Sequence, residues 1–148
     1  MTVRRRVLIA FLLSLPVATA ACAPDHEKRG QPVTADDIRI LERADALLPD
    51  EARWNRHDTR DCPPRQAKLS LFCALHAATV EVLGNYDHRR VALQEVRFAI
   101  EEVAGGREFE HRLMDFNNLP QTRFADIKRV LAIARERVAA RLRQSQSH

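Results

Sequence analysis

The chain reads as a single all-α domain of four to five helices, with one long irregular loop after the first helix. Three observations predict this. Apolar residues recur at helical spacing through most of residues 34–148. No segment alternates with period two in β-branched residues. The breaks between periodic stretches fall at Pro, Gly and Asn, the residues that end helices.

The first helix is expected over "ADDIRILERADALL". Thr34 serves as its N-cap, and Asp36 and Asp37 sit in the first turn, where the helix dipole favours negative charge. Ile38, Leu41, Ala44 and Leu48 form its apolar face, and Pro49 ends it. The stretch 49–66, "PDEARWNRHDTRDCPPRQ", shows no periodicity and is long for a loop, so something must pin it or use it. Trp54 is the expected pin, its ring packed on the bundle. A second helix should follow Pro63-Pro64, starting near Gln66 and running to Leu83, where Gly84-Asn85 stops it. Leu69, Phe72, Cys73, His76, Val80 and Leu83 make one stripe on it; Leu71, Leu75, Ala78 and Val82 make another. Two stripes imply a central helix buried on two sides.

A third helix is expected over about 88–104, burying Ala92, Val96, Ala99, Ile100 and Val103 and ending at Gly105-Gly106. A short helix from Glu108 to Phe116 precedes the turn "NNLPQ". The last helix is capped by Thr122 and buries Phe124, Ile127, Leu131, Ala134, Val138 and Leu142.

The N-terminus has a different character. Arg4, Arg5 and Arg6 precede an uncharged apolar run from Val7 to Val17, and small residues follow. This is the layout of a bacterial secretory signal, with a run shorter than the roughly 20 residues of a membrane span. Two cleavage sites compete. Ala18-Thr19-Ala20 suits an ordinary signal peptidase, which would release a soluble secreted or periplasmic protein. Thr19-Ala20-Ala21-Cys22 resembles the lipobox of bacterial lipoproteins, in which the cysteine is lipidated. The expectation taken forward is a signal peptide over 1–21, a lipid on Cys22 and a tether over 22–33. The helical domain then spans 34–148 and faces the periplasm from the cell envelope.

Export would alter the charge balance. The chain carries 24 Lys and Arg against 20 acids, and residues 1–21 hold three of the arginines and no acid. Their removal leaves 21 basic and 20 acidic side chains, close to neutral. Such a chain has no field to attract nucleic acid, and none is expected as a partner.

Cys62 and Cys73 stand eleven positions apart in "DCPPRQAKLSLFC". In an oxidising envelope they form an even pair once Cys22 is lipidated. A helix from Gln66 would place Cys73 roughly 10 Å along it, and an extended Pro-Pro segment can return the chain that far. A structural disulfide is therefore open to them, as is a pair of separate thiols with Cys73 buried. A redox pair would want C-x-x-C spacing, and a zinc site two further ligands.

Three other groups of residues are candidates for chemistry. His111 and Asp115 are four apart and share a helix face, while His88 and His57 lie in polar segments. Together they are the candidate catalytic set for an envelope hydrolase or a metal-dependent enzyme. The plainer reading makes His111 and Asp115 a buried polar pair that pins the Asn117-Asn118 turn. His76, on an apolar stripe, reads as a core histidine. Finally, Arg89, Arg90, Arg97, Arg107 and Arg112 crowd one region and could receive a carboxylate or phosphate. Acids interleave with them, which favours weak surface ion pairs instead. Arg89, Arg112, Asn117 and Asn118 are the candidate binding residues. No cofactor and no metal are expected.

Two stretches, "FCALHAATV" (72–80) and "DFNNLPQTRFADIKRVLAIA" (115–134), resemble a family of uncharacterised bacterial proteins. In that family a Cys-Ala-Leu helix is followed by a Trp-Asn-Asp-x-Pro-x-x-Thr turn that opens the last helix. Cys73, Ala74 and Leu75 match the first motif, and Asn117, Pro120 and Thr122 the second. Phe116 replaces the tryptophan and Asn118 the aspartate. The resemblance implies a small helical domain and supplies no catalytic residues. It also makes Cys73 a core position, with Cys62 this chain's own addition. The functional expectation is an envelope lipoprotein whose helical module binds a protein or a small anionic ligand, or serves a structural role.

Overall fold

The computed structural model describes residues 31–147. Cys22, the expected signal peptide over 1–21 and most of the expected tether lie outside the described residues. Five α-helices follow one another: α1 (Ala35–Leu47), α2 (Leu71–Leu83), α3 (Val91–Val103), α4 (Arg112–Asn118) and α5 (Phe124–Gln146). The all-α class is as predicted. α1 packs on α2 and α5, α3 lies along α5, and the short α4 closes one end against α2 and α3.

α1 begins where its sequence says it should. The Thr34 backbone N–H donates to Asp37 Oδ2 at 2.9 Å, closing the first turn. Ile40, Leu41, Ala44 and Leu48 are its buried residues, and the expected Ile38 is only half-buried. The helix has no cation in its last turn. α5 supplies one from outside: Lys128 Nζ donates to the carbonyls of Asp45 (3.2 Å) and Leu48 (3.1 Å). It also pairs with the Asp45 carboxylate. A cation there satisfies terminal carbonyls and complements the dipole.

Asp37 has a second role that its place in the first turn did not foretell. It is fully buried and accepts from Arg90 Nε at 3.1 Å, Arg90 Nη2 at 2.6 Å and the Ala92 backbone N–H at 3.1 Å. Arg90 Nη2 also donates to Thr34 Oγ1 at 2.7 Å. This forked pair ties the start of α1 to the start of α3. Nearby, Asp87 accepts from the Arg89 backbone N–H and the Gln31 side chain, and these bonds hold its carboxyl below the ordinary aspartate range.

α2 starts at Leu71, five residues later than the apolar pattern suggested. A bridge to the preceding loop and a side-chain cap decide the boundary. Leu69 is held in an extended parallel bridge with Trp54: its N–H donates to Arg53 O (2.8 Å) and its carbonyl accepts from Asn55 N–H (2.9 Å). Ser70 then caps the helix, its Oγ accepting the Cys73 N–H at 3.1 Å. The stripe through Leu71, Leu75 and Ala78 is the deep one. The stripe through Phe72, His76 and Val80 is partly exposed, so α2 faces the core on one side only. His76 is accordingly half-buried rather than a core residue, with its ring 4.6 Å from that of Tyr86. Gly84 ends the helix in a left-handed conformation at φ 83°.

α3 and α4 also begin a few residues after the positions expected from sequence, and α5 begins one residue after. Thr122 does not cap α5 but is buried, and its hydroxyl donates to Phe116 O at 2.7 Å. Arg123 occupies the cap position, where Asp126 Oδ2 accepts its backbone N–H at 2.9 Å. Ile127, Leu131, Ala134 and Val138 are buried as expected, whereas Phe124 and Leu142 are half-exposed.

Because the Asp37 carboxylate is sealed from water, removing its partner should be costly. Arg90→Met is expected to lower unfolding free energy by about 3 kcal/mol in urea denaturation. A loss below about 0.5 kcal/mol, the size of an exposed pair, would show that the forked pair does not hold α1 to α3.

Candidate functional site

The segment between α1 and α2 is not free. A 3-10 turn (Glu51–Arg53) leads into Trp54, whose side chain is buried in the core. Its indole Nε1–H donates to Asn117 Oδ1 at 2.8 Å, and the same oxygen accepts the Leu71 N–H at 3.0 Å. Asn117 Nδ2 donates to Asn55 O at 3.0 Å and to Asn118 Oδ1 at 3.1 Å. Asn118 in turn accepts the Asp58 N–H (2.7 Å) and donates to Asp58 O (2.8 Å). Arg56 lies over the Trp54 ring at 5.1 Å and donates to the carbonyls of Pro120 and Thr122 at 2.9 Å each. One fully buried amide therefore joins the long loop, the first turn of α2 and the end of α4.

Farther along the loop, the Cys62 and Cys73 sulfurs stand at disulfide distance, with Cα atoms 5.4 Å apart. The backbone doubles back along α2, as a bridge requires. Closing a loop of this size stabilises a fold by about 2–3 kcal/mol in the chain-entropy model. Between the two anchors lies Arg60, in the left-handed region at φ 62°, where its N–H donates to Asp58 Oδ1 at 2.7 Å. Side chains other than glycine adopt that conformation only when their surroundings impose it.

Arg60 borders an open pocket of about 690 Å³, a size usual for ligand sites. Arg97 of α3, Arg112 of α4, His88 and His111 border it too, with Glu110 as the acidic exception. Phe72, Tyr86 and Phe109 supply aromatic wall. Arg97 is half-buried, and among the described residues no carboxylate lies within ion-pair distance of it. Its polar contact is to the His88 carbonyl at 3.1 Å. Burial lowers the Arg97 guanidinium from its ordinary value; the nearby Tyr86 works the other way, and Arg112 adds to the lowering. Burial likewise raises the Tyr86 phenol, against the pull of Arg97 and Arg60. Arg112 meets Glu101 at 3.4 Å, an exposed contact.

The candidates named from sequence thus separate. His88, His111 and Arg112 come together at this pocket, but His57 is not among its lining residues. His111 and Asp115 do not form the expected buried side-chain pair: His111 is exposed, and Asp115 Oδ2 accepts its backbone N–H at 2.8 Å. A carboxylate four residues into a turn reaches that N–H more readily than the imidazole. Asn117 and Asn118, expected at a binding surface, have their amides engaged by the protein itself. Arg89 is exposed and outside the pocket, and Arg90 is taken by Asp37. Among the described residues no group of three or more His, Cys, Asp or Glu could hold a metal ion.

Sequence reasoning missed Arg60, Tyr86, Phe72 and Phe109 as pocket residues. The nearest signal was Cys62: a bridge from it to Cys73 brings the loop that carries Arg60 alongside α2, without showing which face it meets.

Fold and pocket define a class: a small helical bundle with a strapped loop and an open, arginine-rich cleft. The chain belongs to the Family of unknown function (DUF6197), whose model matches residues 32–137. This agrees with the resemblance to an uncharacterised family. Comparison with curated proteins and with solved structures gives no match.

The Asn117 amide is the point to test. Asn117→Ala leaves the Trp54 indole and the Leu71 N–H buried without an acceptor, and at 1–3 kcal/mol per orphaned group should destabilise the fold by about 3 kcal/mol. Trp54 fluorescence should shift to the red before global unfolding. A variant of wild-type stability and unshifted emission would show that the loop is held elsewhere.

Proposed function

We propose that this protein is a binding module of the cell envelope, anchored by a lipid on Cys22, whose pocket receives a small anionic ligand. The observation that carries the binding half is Arg97. A half-buried guanidinium with no carboxylate partner among the described residues, flanked by Arg60 and Arg112, is a charge well placed to be neutralised by a bound anion. His88 and His111 add donors at the same rim. The near-neutral balance of residues 22–148 favours a local anion site over a broad polyanion surface.

The anchoring half rests on the N-terminal pattern: three arginines, an apolar run and Thr19-Ala20-Ala21-Cys22. No described helix is long and apolar enough to cross a membrane, so attachment would fall to the lipid. A Cys62–Cys73 bridge fits an oxidising compartment.

Two variants test the two halves separately. Cys22→Ala should move the protein from the membrane to the soluble fraction; unchanged sedimentation with membranes would contradict the lipid anchor. For the pocket, inorganic phosphate titrated at low ionic strength should shift the Arg97 and Arg112 side-chain N–H resonances. Arg97→Gln should weaken that binding at least tenfold, a loss in line with one charged hydrogen bond. Phosphate binding that ignores the substitution would contradict the site.

A further inference from the structure

The pocket carries more than charge. Phe72 and Tyr86 stand edge to face, their ring centroids 6.0 Å apart with planes at 75°. Tyr86 is backed by His76, and Phe109 by an edge-to-face contact with Phe116 at 6.4 Å. All three lining rings are half-buried and packed against the core. They are fixed walls rather than mobile surface side chains. The Arg60 guanidinium lies 5.9 Å from the Phe72 ring, so cation and aromatic face meet at one place.

A pocket for a hydrated inorganic anion has no use for such walls. Phosphate and sulfate are bound through donors alone, and apolar surface beside them only removes solvating water. Rings standing next to guanidinium groups suit a molecule with both features: an acid group for the arginines and a flat apolar body for the aromatics. The volume of about 690 Å³ exceeds what a lone inorganic anion needs.

We infer that the ligand is a small organic anion, a carboxylate or phosphate monoester carried on a flat apolar ring, bound with its acid group at Arg60, Arg97 and Arg112 and its ring against Phe72, Tyr86 and Phe109. This rests on the anion-site reading above and narrows it to a ligand class.

The test compares six probes on the wild-type chain by calorimetry and by NMR: benzoate, phenyl phosphate, acetate, inorganic phosphate, benzyl alcohol and benzylamine. Benzoate or phenyl phosphate should bind roughly tenfold tighter than its ring-free counterpart, the scale of one buried ring. The tighter of the two aromatic acids identifies the acid group. Both should shift ring resonances of Phe72, Tyr86 and Phe109. The uncharged alcohol and the amine should bind at least tenfold more weakly than benzoate. Tyr86→Leu should erase most of the ring preference while sparing phosphate binding, and Arg97→Gln should weaken all anions together.

Equal affinity with and without the ring would overturn the ligand class and leave the anion site standing. Benzyl alcohol binding as tightly as benzoate would overturn the role of the arginines in both readings. No binding by any of the four anions would overturn the anion site itself.

Discussion

A single buried amide organises this domain. Asn117 offers one oxygen and one nitrogen, and each serves two partners from parts of the chain far apart in sequence. The oxygen receives the Trp54 indole and the first amide of α2; the nitrogen reaches the Asn55 carbonyl and Asn118. Every hydrogen-bonding position of a primary amide except rotational slack is thereby used. A serine hydroxyl, with one donor and two acceptor lone pairs, would leave at least one of these four bonds unmade. The loop of 49–70 owes its path to that amide at one end and to the Cys62–Cys73 contact at the other. Between them the chain is short enough that Arg60 has little choice of position.

This arrangement links core to pocket. The residues that border the pocket come from six places: the strapped loop, the exposed stripe of α2, the turn before α3, α3 itself, the segment before α4 and the start of α4. The Asp37–Arg90 pair fixes the start of α3, and with it the turn that carries Tyr86 and His88. Asn117 fixes the end of α4, whose other end carries Arg112. The pocket is therefore as rigid as these two buried polar contacts and the Cys62–Cys73 contact make it.

Much of the helical layout was legible in the sequence, because amphipathic spacing and Gly or Pro stops act locally. Gly84 and Gly105 closed their helices as expected. The starts were less legible. α2 begins at Ser70-Leu71 rather than Gln66 because a bridge to Trp54, fifteen residues earlier, holds Leu69 extended. No local pattern encodes such a contact. The same applies to the site. Arg97 and Arg112 belonged to a cluster of five arginines that looked alike in sequence, and only the fold distinguishes Arg90, consumed by Asp37, from Arg97, half-buried with no ion-pair carboxylate among the described residues. The loop residue Arg60 and the rings of Phe72, Tyr86 and Phe109 became neighbours through tertiary packing alone. Conversely, Asn117 and Asn118 stood out correctly as special, but their polarity serves the fold.

The central claim is that Asn117 holds the loop to the bundle as part of the global fold. Native-state hydrogen exchange of the Trp54 indole Nε1–H and the Leu71 amide tests this most directly, since the chain has one tryptophan and both donors share the Asn117 oxygen. If the account is right, both exchange only through global unfolding, with the same free energy as the most protected amides of α3 and α5. Exchange of the indole several kcal/mol below the global value, with the helix amides still protected, would contradict it and show a loop that opens on its own.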